Sequence, residues 1–202
     1  MTPVQKARGR RTLPRYITET ECKRIIEAAE CERDRLLLRL MFESGSRVSE
    51  VCPVRRRDID IEVGQVRLVN LKQGTYAEKL CVVSMELAKM LDEYCTRNSI
   101  GEDGYVFPSK KRSTPHIGRK MVYRIVTQLT EKLGIRKPHA DGISSAAWPH
   151  CLRHGAAVNI LTKTKNIQLV KQQLGHASVS TTGIYTELVD DERVNQLRSV
   201  FR

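Results

Sequence analysis

The side chains best suited to chemistry crowd into the last third of the chain. The stretch 149–186, PHCLRHGAAVNILTKTKNIQLVKQQLGHASVSTTGIYT, holds His150, Arg153, His154, His176 and Tyr185. His150 and Arg153 are three positions apart, so on a helix they share a face. The apolar run AAVNIL continues that helix, and a guanidinium starting on a buried helix must find an anion. Tyr185 is a candidate nucleophile: a phenol, with a pKa of about 10, attacks only beside a base or in a field of cations. A second arginine, Arg47, lies far upstream in GSRVSE, where Glu50 could hold it in place. Two arginines converging on one phosphate would neutralise charge developing in phosphoryl transfer, and the planar guanidinium suits that task better than an ammonium. The sequence has no acidic cluster of the kind a two-metal nuclease needs and no GxxxxGK[ST] loop. The chemistry these residues imply therefore uses no metal, no cofactor and no ATP.

The elements that must position these groups read as mainly α with a small antiparallel β-sheet, an α+β pattern. Thr18 and Glu21 make a T-x-x-E capping box for a helix reaching about residue 29. A second helix starts near Arg33, carries Leu36, Leu37, Leu40 and Met41, and stops at Gly45. A third begins near Ser46 or Arg47 and ends before Pro53. Alternation then takes over through Ile59, Ile61, Val66, Leu68 and Leu71, breaks at Gln73-Gly74 and resumes through Leu80, Val82 and Val83. That is a hairpin with Lys72 and Lys79 beside its turn. Leu87, Met90, Leu91 and Tyr94 mark one face of a helix over about 85–97. Thr114 followed by Pro115 predicts a capped helix running to about Leu133, and HADGISSAAW reads as a polar loop. Helices over about 150–161 and 166–174, the second capped by Asn166 and stopped by Gly175, precede a final amphipathic helix over 191–201.

The chain has 202 residues, a net charge of +12 and a pI near 9.7, which points to a polyanionic partner, nucleic acid before a membrane surface. Nine of the basic residues fall between Lys110 and Lys137 against Glu131 alone. Within that run Arg119, Lys120 and Arg124 are the candidate phosphate contacts. The six cysteines show no CxxC pair and no zinc spacing, which fits reduced thiols and a cytoplasmic, nucleoid-associated location.

Five segments, in order, resemble the motifs of the tyrosine recombinase (phage integrase) family. ESGSRVSEV resembles its arginine box, LKQGTYAEKLCVVS its lysine hairpin, PHCLRH its H-x-L-R-H box, QQLGHAS its L-G-H box and STTGIYTEL its tyrosine box. The resemblance implies the family's catalytic-domain fold over 13–202, preceded by a basic arm, 1–12, with no N-terminal core-binding domain. In length it is similar to the single-domain recombinases that switch fimbrial promoters. It also implies roles. Tyr185 attacks the scissile phosphate to form a 3′-phosphotyrosyl bond, and Arg47 and Arg153 clamp the non-bridging oxygens. His176 hydrogen-bonds the same phosphate, and His150 accepts the tyrosine proton. Lys72 protonates the leaving 5′-oxygen, with Lys79 as the alternative donor, and Glu50 braces the arginine site. The partners implied are double-stranded DNA and further copies of the chain, dimer to tetramer, joined through the C-terminal helix. Departures from the family pattern fall at Ser46, Gln73, His154 with Gly155, and in the long loop 138–148. Two rival readings stand beside this one: a type IB topoisomerase, and a DNA-binding regulator that keeps the fold without the chemistry.

Overall fold

The computed structural model describes residues 15–72, 75–109, 113–138 and 144–175, with backbone alone at 70–72, 75–77 and 138. Helix α2 (Glu32–Ser44) runs through the middle of the described fold. Leu36, Leu37, Leu38, Leu40 and Met41 are all buried, so this helix is apolar nearly all round. Around it pack α1 (Glu19–Ala28), the short α3 (Val48–Val51), α4 (Met85–Arg97) and α6 (Pro149–Thr164). The predicted cap of α1 is present in full: the Glu21 amide donates to Thr18 Oγ1 at 3.2 Å, and the Thr18 amide donates to Glu21 Oε2 at 2.8 Å.

Strands β1 (Ile59–Asp60), β2 (Gln65–Lys72) and β3 (Thr75–Val82) form an antiparallel sheet in that order, with Leu68 opposite Lys79 and Lys72 opposite Thr75 across the turn. Val66, Leu68 and Cys81 face the core, while Leu80 and Val82 face outward. The edge of β3 is closed by a side chain. The Gln173 amide accepts from Val82 N at 3.1 Å and donates to Val82 O at 2.6 Å, standing in for a neighbouring strand. Gln173 lies on α7 (Ile167–Leu174), so the last described helix is tied directly to the hairpin.

Two expectations are corrected. Helix α5 spans Arg119–Lys132 with Gly118 at its N-cap, and Thr114-Pro115 does not open it. Ile117 N donates to Phe107 O at 2.8 Å and His116 bridges Pro108, so this stretch pairs as a strand with the chain before it. Thr114 Oγ1 donates to Ser109 Oγ at 2.9 Å. The extended pairing takes the backbone groups that a helix start would have needed. The second correction lies in the polar segment after α5, where β4 (Arg136–Pro138) pairs with β5 (Ser144–Ala146) as a second, two-stranded sheet. Long-range contacts pin it: Lys137 Nζ reaches Glu21 Oε2 at 2.6 Å, and Thr130 Oγ1 donates to the buried Ala147 carbonyl at 3.2 Å.

Five of the six cysteines are buried free thiols and Cys31 is exposed. Burial pushes the thiols of Cys52 and Cys95 up to about 11, as expected of inert core residues. Among the described residues no helix is long and apolar enough to cross a membrane.

The chain entering α1 crosses α6 at very short range. Ile17 N donates to Cys151 O at 2.9 Å, and a Cβ on Gly155 would lie 2.0 Å from Ile17 O. The Gly155→Ala variant is therefore expected to lose about 2–4 kcal/mol of stability, because backbone must move to admit the methyl group. Urea denaturation checks this, and a midpoint equal to that of the parent would refute it.

Candidate active site

The glycine that ends α2 begins the site. Gly45 sits at φ +60, in the left-handed region that favours glycine, and a Cβ there would meet Leu174 Cδ1 at 2.8 Å. The turn delivers Arg47 to the N-cap of α3, where Glu50 holds it at two points. Arg47 N donates to Glu50 Oε2 at 2.9 Å and Arg47 Nη1 donates to Glu50 Oε1 at 2.9 Å. Glu50 is 2% exposed, so its charge must be matched within the protein. Arg47 keeps about a third of its side chain open to solvent and can meet a ligand there.

Arg153 arrives from the other end of the chain. Pro149 at the first turn of α6 sets the entry of that helix, and Arg153 lies one turn further in at 5% exposure. Its Nη1 donates to Gly45 O at 2.7 Å and its Nη2 to Leu174 O at 3.1 Å. These carbonyls belong to the C-terminal ends of α2 and α7, where helix dipoles place partial negative charge. The buried guanidinium is thus met by two helix ends, where sequence reasoning looked for an anion.

His150 stands one turn before Arg153 on α6 with an exposed edge. Partial burial of its ring, then the charges of Arg153 and Arg47, hold its pKa below that of a free imidazole. It is therefore neutral at pH 7, the form that accepts a proton. His154, one of the departures from the family pattern, is more deeply set. Burial, followed by the charges of His150 and Arg153, lowers it to about 4.

Lys72 ends β2 opposite Thr75, and its backbone alone is described. His176 and Tyr185, with the segment 191–201, lie outside the described residues. Gly175, the residue before His176, closes α7 at φ +65 against Lys79. Arg119, Lys120 and Arg124 are exposed on the first half of α5, beside the exposed Tyr123. Arg119 is near enough to pull on the Cys52 thiol at the end of α3. The fold thus brings Arg47, Glu50, His150 and Arg153 together from two distant segments. Sequence reasoning missed the network formed by Ser46, Lys79 and the Leu174 carbonyl. The one available signal was the departure at Ser46, a polar residue where the family's arginine box has a hydrophobic one.

Comparison with known proteins places the sequence and its fold in one family. The profile of the phage integrase family matches residues 15–192. A tyrosine recombinase of Pseudothermotoga lettingae is 30% identical over 204 residues, covering 99% of this chain and 66% of the relative. The crystal structure of the XerA recombinase superposes with a TM-score of 0.72 at 28% identity, covering 98% of this chain and 67% of that one. The XerH site-specific recombinase, solved bound to difH substrate, superposes with a TM-score of 0.67 at 21% identity, covering 95% and 54%. The chain spans about three fifths to two thirds of the length of the curated relatives it matches. With the arginine box and the H-x-L-R-H helix facing each other in the matching fold, the chain belongs to the phage integrase family, the tyrosine recombinases.

Proposed function

We propose that this protein is a site-specific recombinase that cuts and rejoins double-stranded DNA through a 3′-phosphotyrosyl intermediate. The observation that carries the reading is the convergence of Arg47 and Arg153, whose elements meet through a hydrogen bond spanning 108 positions of sequence. Tyr185 Oη attacks the scissile phosphorus as the bond to the 5′-oxygen breaks. Its proton passes to His150, and Lys72 supplies one to the leaving oxygen. Arg47, Arg153 and His176 bind the non-bridging oxygens, whose charge grows in the transition state. The 5′-hydroxyl of a second strand reverses the step, so resealing needs no ATP.

The test is covalent capture. Incubated with randomised duplexes nicked so that the cleaved strand diffuses away, the protein should become trapped on a preferred sequence, and peptide mapping should place the nucleotide on Tyr185. Relaxation of plasmid without site preference would instead favour a topoisomerase. Sequence-selective binding without any adduct would favour a regulator.

A pH dependence follows from His150. Its pKa in the folded protein lies below the ordinary 6.5, so the acceptor form predominates at neutral pH and is lost as pH falls through that lowered value. The single-turnover cleavage rate should be flat from pH 7 to 8 and fall below pH 6.5, with the acid limb absent in His150→Gln. An acid limb unchanged in that variant would remove His150 from the role.

Duplex DNA as partner is supported by the net charge of +12 and by the DNA-bound state of the XerH recombinase. Arg119, Lys120 and Arg124 contact phosphates in this reading. The segment 191–201, through Val194, Leu197, Val200 and Phe201, docks on a second copy. A groove of about 1070 Å³ between α1, α2, β3, α6 and α7, lined by Ile26, Phe42, Leu80, Val82, Ile160 and Leu169, has the apolar surface to receive it. Truncation before Asp191 should leave single-copy DNA binding intact and abolish the slower-migrating complexes in a gel-shift titration. Complexes of unchanged stoichiometry would refute the docking.

A further inference from the structure

Lys79 stands on β3 with its side chain only 12% exposed, and it runs beneath the end of α7. Its stem fills the space beside Gly175, where a Cβ would lie 2.5 Å from Lys79 Cδ. At the tip, Nζ donates to Ser46 Oγ at 2.9 Å and to Leu174 O at 3.4 Å, and it lies 3.7 Å from Glu50 Oε2. An ammonium has three donors, and three acceptors face this one. Two of these acceptors lead directly to the phosphate-binding arginines. Glu50 is the carboxylate that holds Arg47, and Leu174 O is the carbonyl that Arg153 Nη2 also uses.

The charges favour the same role. Glu50 and Arg47 alone would form a neutral pair and leave one net positive charge, that of Arg153, to meet a phosphate. With Lys79 drawing on the same buried carboxylate, the cluster of Arg47, Glu50, Lys79 and Arg153 carries a net charge of +2. A lysine fully occupied in this way is poorly placed to give a proton to a leaving group.

We propose that Lys79 is a positioning residue: it sets Arg47 and Arg153 in register, through Glu50 and Ser46 on one side and the Leu174 carbonyl on the other. The proposal rests on the recombinase reading and deepens it, since it assigns the two lysines of the hairpin different work.

The experiment uses the full chain and nicked duplexes of the sequence captured by the wild-type protein. These are made with either the ordinary 5′-oxygen or a 5′-bridging sulfur, which leaves without needing a proton. Lys79→Met should cleave about 100-fold more slowly on both duplexes, the size of loss that a small misplacement of binding groups causes. Lys72→Met should be slow on the oxygen duplex and restored on the sulfur one. In an Arg47→Ala background, Lys79→Met should cost less than about 10-fold, because residues acting through one another are not additive. Lys79→Arg, which keeps a cation under α7, should recover at least half of the lost orders of magnitude, and Lys79→Gln takes the place of the methionine variant, with the same expected and overturning results, if that one does not melt cooperatively. Cleavage by Lys79→Met within 3-fold of wild type, rescue of its defect by sulfur, or an undiminished loss in the Arg47→Ala background would each overturn the proposal. Failure of the wild type to form any adduct would overturn the recombinase reading and this proposal with it, whereas a competent wild type with an unaffected Lys79→Met overturns this proposal alone.

Discussion

Tyr185→Phe is expected to bind the captured duplex with the affinity of the parent and to form no covalent adduct, with cleavage lowered by more than about 10⁴-fold. The substitution removes one oxygen and keeps the ring, so it leaves the arginines and the DNA surface in place. The chain has six tyrosines, and the structure distinguishes four of the others. Tyr94 is buried on α4, and burial pushes its phenol above the usual value, which disfavours a phenolate. Tyr105 Oη accepts from Arg55 Nη2 at 3.1 Å, and its ring lies under that guanidinium. Tyr123 is exposed on α5, so Tyr123→Phe is the matched control and should cleave normally. The backbone of Tyr76 is held in β3. Gel electrophoresis under denaturing conditions reads the adduct directly. An adduct persisting in Tyr185→Phe would move the nucleophile elsewhere.

Arg153→Lys is expected to slow single-turnover cleavage by about 10²–10³-fold while the protein remains folded. The charge is kept, so the effect isolates geometry. The guanidinium places Nη1 on Gly45 O and Nη2 on Leu174 O at once, and an ammonium on a shorter stem cannot span both helix ends while offering a bidentate face to phosphate. Alanine is the less informative choice. It would take the Arg153 donor from the Gly45 carbonyl, at about 1–3 kcal/mol, leave Leu174 O to Lys79 alone, and mix a folding defect with a catalytic one. A rapid-quench rate on the nicked duplex, beside a melting curve, separates the two. A lysine variant within 10-fold of the parent rate would show that charge alone suffices at this position.

Local signals were legible where the physics is local. The Thr18–Glu21 box, the Asn166 cap and the glycine stops at 45 and 175 all appear as the sequence implies, because each depends on backbone groups within a few residues. The alternation through Val66 and Leu68 marked the sheet for the same reason, with one face buried and one wet. Thr114-Pro115 misled because a helix cap is only one possible partner for such groups: Ser109 took both the Thr114 hydroxyl and the Pro115 carbonyl, and Phe107 O took the Ile117 amide. The β4–β5 hairpin was hidden in polar composition, since what holds it are Glu21 and the packing of Ala147, both remote in sequence.

The same division runs through the site. Residue identities and motif order by themselves singled out the groups proposed to bear the chemistry, since a tyrosine, two histidines and two arginines in those boxes form a specific set. The tertiary structure decided how the charges are balanced. Arg153 is met by the carbonyls that end α2 and α7, and Glu50 is shared between Arg47 and Lys79. A buried charge is stabilised by whatever lies within a few ångströms of it. For Lys79 the near groups come from positions 33 and 95 residues away, and only the folded chain brings them there.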